Sequence, residues 1–164
     1  MTRRAICACL FIACLSVAQA SAQTPPPTPA PAAPANGAPE SPKDPLGRDT
    51  PRGTVLGFMN AARENKQDVA PLYLDSGLSG EDATELAHQL YVVLNSRLPV
   101  RVNVLSDKAE GSVANPLRPD KDVVGTINSS RGPLELVVER VDNGNGMRVW
   151  LFSQETLREI PGVY

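Results

Sequence analysis

Residues 79–105 read SGEDATELAHQLYVVLNSRLPVRVNVL, and the hydrophobic period changes within this segment. As far as Leu98 the apolar residues recur every three or four positions, which predicts an amphipathic helix capped by Ser79. After Pro99 the apolar and polar residues of 100–105 largely alternate, and alternation predicts a strand. The segment therefore predicts a domain in which helices are followed by strands.

Two shorter helices are predicted before this segment. Thr50 precedes Pro51, the pattern of a capping side chain and a proline at the first helical position. Apolar residues then recur at helical spacing up to Asn65, namely Val55, Leu56, Met59 and Ala62. A second helix is predicted from Asp68 to Gly77, with Pro71 in its first turn and with the apolar residues Val69, Leu72 and Leu74.

Strands are predicted after it, at 123–127, 134–139 and 147–152. The sequence DNGNG at 142–146 is typical of a hairpin turn, and Gly132-Pro133 marks another reversal. Ser153 is placed to cap a short helix through Leu157 and Ile160. The long polar loop 106–122 is expected to be either mobile or functional. The predicted fold is α+β: three N-terminal helices, an antiparallel sheet of about four strands and a short C-terminal helix.

The first 22 residues have the pattern of a secretory signal peptide. Arg3 and Arg4 precede an apolar run at 5–18, and Ala20-Ser21-Ala22 provides a cleavage site. The apolar run is too short to span a bilayer. A cleaved signal predicts a periplasmic protein, and acylation of Cys14 as a lipid anchor is the alternative.

Residues 23–45 are predicted to be a disordered linker rich in proline and alanine, and 46–164 to be the extracytoplasmic domain. The whole chain has a net charge of −2, and removal of Arg3 and Arg4 with the signal takes it to −4. An acidic exported chain is not expected to bind nucleic acid. No later segment has the 18 consecutive apolar residues of a membrane span.

The composition leaves little for metal or nucleophilic chemistry. The three cysteines, Cys7, Cys9 and Cys14, all lie within the predicted signal peptide, and His88 is the only histidine. We therefore predict no enzyme activity, no catalytic or metal-binding residue and no cofactor, and His88 is expected to be structural or exposed to solvent.

Other candidate motifs have simpler structural interpretations. The carboxylates Glu81, Asp82 and Glu85 suit a helix start better than a calcium site, and 142–146 suits a hairpin better than a calcium loop. Gly53 and Gly57 are expected at a close approach to a neighbouring element. The aromatic residues predicted to lie in the core are Phe58, Trp150 and Phe152.

Several segments together resemble a known family. They are DPLGRDTPRGTV at 44–55, YLD at 73–75, LAHQL at 86–90, VVGTI at 123–127, and VWLFSQET at 149–156 followed by Ile160-Pro161 and Tyr164. In this order they resemble the extracytoplasmic N-terminal domain of large members of the small-conductance mechanosensitive ion channel family. The resemblance covers nearly all of 44–164 but no pore region, and it implies a non-catalytic sensor or regulatory domain that does not conduct ions.

The resemblance leaves three origins open: a stand-alone relative of the sensor domain, a truncated or split channel gene, or a partner that acts on a channel in trans. The expected partner is a membrane channel protein or another envelope component. The alternative function is a periplasmic small-ligand-binding or protein-interaction module with a nuclear-transport-factor-like fold. A closed cavity lined by Val102, Val104, Leu136 and Trp150 would favour ligand binding, and a filled core would favour protein interaction. The sequence indicates neither ligand-binding residues nor an oligomeric state.

Overall fold

The computed structural model of the chain describes residues 43–98, 102–112 and 116–164. The predicted signal peptide at 1–22 and the linker as far as residue 42 lie outside the described residues. In chain order the helices and strands are α1 Pro51–Arg63, α2 Gly80–Arg97, β1 Lys121–Ser129, β2 Gly132–Asp142, β3 Arg148–Phe152 and α3 Gln154–Glu159. Short 3₁₀ helices occur at Ala70–Tyr73, Val102–Val104 and Ile160–Gly162. The fold class is α+β, as predicted.

Both long helices begin where the sequence indicates. The Thr50 side chain accepts a hydrogen bond from the Gly53 backbone N–H at 3.0 Å, and Pro51 is the first residue of α1. Ser79 precedes α2, although its side chain makes no capping hydrogen bond. The predicted stripe of α2 is confirmed by its buried residues, Ala83, Leu86, Ala87, Leu90, Val93 and Leu94.

The predicted second helix is wrong. The segment forms only a four-residue 3₁₀ helix, Ala70–Tyr73, and Leu74 is already extended. Leu74 makes an isolated parallel bridge with Phe152, and the Asp75 N–H donates to the Phe152 carbonyl at 3.0 Å. The chain leaves the helical conformation because its backbone groups pair with the edge of β3.

The strand predicted at 100–105 is also wrong. Residues 100 and 101 lie outside the described residues, and Val102–Val104 is a 3₁₀ helix. Within the described part of the chain the sheet has three strands rather than about four. The Arg52 guanidinium donates to the Leu105 carbonyl at 2.9 Å, and the Arg52 N–H donates to the Ser106 carbonyl at 3.0 Å. These carbonyl groups bind to α1 instead of entering a strand ladder.

The three strands form an antiparallel sheet in the order β1-β2-β3. A two-residue turn joins Ser129 to Gly132, and the 142–146 turn joins β2 to β3, which confirms the predicted hairpin. A bulge interrupts β1 between Val123 and Gly125. In the register Val123 pairs with Val137, and Thr126 pairs with Glu135. Because of the bulge, all four side chains lie on the same face of the sheet.

The core lies between the helices and one face of the sheet. Leu98, after α2, packs at Gly125, where a Cβ would lie 2.7 Å from the leucine methyl groups. The ring centroids of Phe58 on α1 and Phe152 on β3 are 5.1 Å apart in an edge-to-face arrangement. Among the described residues, no helix is long and apolar enough to cross a bilayer.

The two helix glycines do mark close approaches. A Cβ on Gly57 would lie 2.5 Å from the Tyr73 hydroxyl, which itself donates to the Leu46 carbonyl at 2.9 Å. A Cβ on Gly53 would collide with the Gly47 carbonyl oxygen. Only glycine at these two positions therefore allows the turn before α1 and the 3₁₀ helix at Ala70–Tyr73 to pack against α1.

The turn before α1 is held by a two-point ion pair. Arg48 donates from Nε and Nη2 to the two carboxylate oxygens of Asp44 at 2.9 and 2.8 Å, and from Nη1 to the Leu72 carbonyl at 2.7 Å. The Asp44 side chain is 2% exposed although the sequence places it in the linker. These hydrogen bonds from Arg48 hold the pKa of Asp44 below its ordinary value.

We expect Asp44→Asn to lower the free energy of unfolding by about 1.5–3 kcal/mol at pH 7, because it removes a buried charge-assisted pair. The folded-state pKa of Asp44 is lowered, so its contribution is present above about pH 4 and is lost as the pH falls through the folded-state pKa. In urea unfolding, the difference in free energy of unfolding between the wild type and Asp44→Asn should therefore be smaller at pH 3 than at pH 7. Asp107→Asn is the control, because Asp107 is 68% exposed in its pair with Arg52. A difference independent of pH would contradict this assignment.

Candidate interaction surface

Trp150 on β3 joins three separate segments of the chain and is fully buried. Its backbone N–H donates to the Arg48 carbonyl at 2.8 Å, and its own carbonyl accepts from the Thr54 hydroxyl at 2.8 Å. Its indole N–H donates to the Ala109 carbonyl at 3.1 Å. Trp150 thus connects β3 with the turn before α1, with α1 itself and with the loop that follows the second 3₁₀ helix.

That loop covers the indole ring. Gly111 has a φ of +81°, and a Cβ on it would lie 2.5 Å from the indole ring. The Ser106 hydroxyl donates to the Gly111 carbonyl at 2.8 Å. The sequence predicts that the loop 106–122 is mobile or functional; in the structure its part at 106–112 lies over Trp150 and makes hydrogen bonds there. Residues 113–115 lie outside the described residues.

The closed cavity that would favour ligand binding does not form among Val104, Leu136 and Trp150. Leu136 and Trp150 are fully buried in the core, whereas Val104 is 69% exposed. Val102 and Val104 lie in a 3₁₀ helix outside the sheet. The core position of Phe58, Trp150 and Phe152 is confirmed, since all three side chains are fully buried.

His88 lies on α2 and is exposed. Its ring makes an edge-to-face contact with Tyr164, with the two ring centroids 6.2 Å apart. Glu81 and Asp82 lie in the first turn of α2. Within the described residues no three His, Cys, Asp or Glu side chains come together as metal ligands. The three cysteines, Cys7, Cys9 and Cys14, lie outside the described residues.

The 142–146 turn is closed by its own side chains. Asp142 accepts from the Gly144 N–H at 2.8 Å, and Asn143 accepts from the Asn145 N–H at 3.0 Å. The Asn143 N–H donates to the Met147 carbonyl at 3.0 Å. The Asp142 oxygen is therefore engaged in a turn, as the hairpin interpretation of this segment predicts.

A groove of about 300 Å³ lies beside the end of α1 and α2. Lys66, Glu85, His88 and Tyr91 contribute to its lining. Lys66 already pairs with Glu64 at 2.8 Å, and both side chains are more than half exposed. The groove therefore has a charged residue at its rim that is already paired, and its wall includes the only histidine of the chain.

Asp122 on β1 is buried without an ion-pair partner among the described residues. It is 7% exposed, and its carboxylate accepts from the Ser106 N–H at 3.4 Å. Burial raises the pKa of Asp122 above its ordinary value, and hydrogen bonds from the Ser106 and Val123 backbones oppose this only in part. Asp122 thus differs from Asp44, which has a cation beside it.

The outer-face patch consists of Leu117, Arg118, Val123, Glu135 and Val137, which line one groove of about 430 Å³ over β1 and β2. Val123 is 43% exposed and Leu117 is 91% exposed. Val123 lies directly opposite Val137 in the register, so the two valines form the apolar centre of the patch.

The charges of the patch differ in how they are paired. Lys121, at its border, lies 3.4 Å from Glu139 and 3.7 Å from Glu155. Arg118 and Glu135 are both exposed, and neither forms an ion pair or a side-chain hydrogen bond within the described part of the chain. The patch therefore combines exposed apolar surface with an exposed cation and an exposed anion that form no ion pair within the described residues, and the buried carboxylate of Asp122 lines the same groove.

No protein-family model, curated protein or solved structure matches the chain. The sequence does not indicate Arg118 or Val123 as binding residues. The alternation at 134–139 does indicate that Glu135 and Val137 share the face opposite Leu136, and this is the one sequence signal for the patch.

We expect Trp150→Phe to lower the free energy of unfolding by about 2 kcal/mol, because it leaves the Ala109 carbonyl without its indole donor and opens a gap under the loop. Urea unfolding measures the change, and limited proteolysis should show faster cleavage at 106–112. Tyr91→Phe is the control: the Tyr91 hydroxyl has no hydrogen-bond partner within the described residues, so its loss should cost less than about 0.5 kcal/mol. Equal stability of both variants would contradict the role given to Trp150.

We expect Asp122→Asn to raise the free energy of unfolding at pH 7 by about 0.5–1 kcal/mol, because it removes a buried unpaired charge and keeps an acceptor for Ser106. Because the folded-state pKa of Asp122 is raised, the contribution of Asp122 to stability is complete below the unfolded-state pKa. That contribution is lost as the pH rises through the folded-state pKa. The gain should therefore disappear near pH 3 in urea unfolding. Asp120→Asn should instead lose stability slightly, because Asp120 pairs with Arg148 at 2.7 Å. A less stable Asp122→Asn protein at pH 7 would overturn this interpretation.

Proposed function

We propose that residues 46–164 form a non-catalytic periplasmic domain that binds another envelope protein. In this proposal it corresponds to the N-terminal sensor or regulatory region of a mechanosensitive ion channel, without the pore. The observation that carries the proposal is the burial of Trp150 and Leu136, which are fully enclosed where the alternative requires a cavity. A domain whose central side chains are enclosed acts on other molecules through its surface.

The exposed features of the domain support a protein partner. Val123 presents apolar surface on the sheet, beside the exposed charges of Arg118 and Glu135. An apolar centre with a polar rim is the usual arrangement at protein interfaces. The small-ligand-binding alternative has less support, because Val104 faces solvent and cannot line a cavity with Trp150.

The proposal is tested by crosslinking in growing cells with a cleavable amine-reactive reagent. The full chain with a C-terminal tag is compared with a control in which residues 1–45 are fused to the same tag. We expect a membrane channel protein in the adducts of the full chain and not in those of the control, because the partner-binding surface lies in the domain. Recovery of the same proteins with both chains, or of no envelope protein with the full chain, would contradict the proposed function.

A further inference from the structure

We propose that the outer-face patch is a self-association site, at which two copies of the chain meet about a two-fold axis. The same patch is the surface offered to the proposed envelope partner, so a dimer and that partner would compete for it. The inner face packs against α1 and α2, and the outer edge of β3 is taken up by Arg48, Leu74 and Asp75. On the outer face, the start of α3 reaches β2, where the Thr156 hydroxyl accepts from the Val137 N–H at 2.9 Å.

The uncovered remainder of the outer face has an apolar centre. Val123 is 43% exposed, and its register partner Val137 is only 8% exposed beside α3. Leu117 adds a side chain that is 91% exposed at the end of the same groove. Covering these side chains would remove apolar surface from water at about 25 cal/mol per Å².

The charges of the patch select a second copy as the occupant. Arg118 and Glu135 line the same groove, have opposite signs, and make no ion pair within the described residues. A two-fold axis brings residue i of one copy to residue j of the other and also brings j to i. Two copies can therefore form two reciprocal Arg118–Glu135 pairs at once. A partner with one sign of charge at this position would leave either Arg118 or Glu135 facing a like charge.

Contact through the face is favoured over pairing along the edge of β1 that no strand of the described chain occupies. The bulge between Val123 and Gly125 breaks the regular spacing of backbone groups along that edge. The exposed large apolar side chains of the patch are only Val123 and Leu117, whereas stable interfaces bury about 1,200–2,000 Å² in total. The dimer is consequently expected to be weak, to depend on concentration, and to weaken as salt screens its charge pairs.

Sedimentation velocity of the purified full chain over a concentration series tests the proposal. We expect the wild-type protein to pass from monomer to dimer, and Arg118→Glu or Glu135→Arg to weaken association about tenfold, because each creates two like-charge contacts. The two single variants mixed in equal amounts should associate as the wild type does, and so should the double variant R118E/E135R. Arg97→Glu, on the exposed side of α2, is the charge-reversal control and should leave the dimer unchanged.

A wild-type protein that stays monomeric up to about 0.5 mM would overturn the proposal, since the patch would then serve another protein or none. A dimer that neither single variant weakens would place the interface elsewhere. If the single variants weaken association, and neither their mixture nor the double variant restores it, the reciprocal pairing is excluded. Circular dichroism of each variant checks that the exposed substitutions leave the fold intact. None of these outcomes depends on the channel partner, so failure of either proposal is recognised separately.

Discussion

The hydrogen bonds of Trp150 are the constraint on which the rest of the domain depends. One residue at the centre of a five-residue strand uses its N–H, its carbonyl and its indole N–H for three different segments. Each of these polar groups is buried, and a buried polar group without a partner is costly. The turn before α1, the helix itself and the loop above the ring must therefore be in place together, which makes the domain a cooperative unit around β3.

This closure determines where the domain can act. The loop at 106–112 lies over the indole ring, and Arg52 holds the neighbouring carbonyl groups of Leu105 and Ser106. The side that would need to open to expose Trp150 is thus held by long-range hydrogen bonds from Arg52 and from the indole N–H. The outer face of β1 and β2 has no such cover in the described chain, and the proposed partner surface lies there.

The sequence predicts those parts of the fold whose conformation is decided locally. The α2 stripe, the Thr50 cap and the 142–146 turn each depend on residues within one or two turns of chain, and all three are found. The strand predicted at 100–105 fails because Arg52, about fifty residues away, captures the Leu105 carbonyl. The patch is only partly predictable for the same reason. Alternation places Glu135 on the outer face, but its unpaired state next to Arg118 depends on the register and on the loop between α2 and β1.

Two residues on the N-terminal side of α1, Asp44 and Arg48, bear on the proposed sensor role. Asp44 is clamped by Arg48, and the Arg48 carbonyl accepts the N–H of Trp150. Tension applied to the backbone before Asp44 would act first on this clamp and next on the outer edge of β3, because they are consecutive in the hydrogen-bond path. The Tyr73 hydroxyl, bound to the Leu46 carbonyl, ties the same turn to α1 through Gly57. Within the proposed sensor role, the path that a pull on the N-terminal side would follow to Trp150 is short, because Asp44, Arg48 and Trp150 are joined directly by hydrogen bonds.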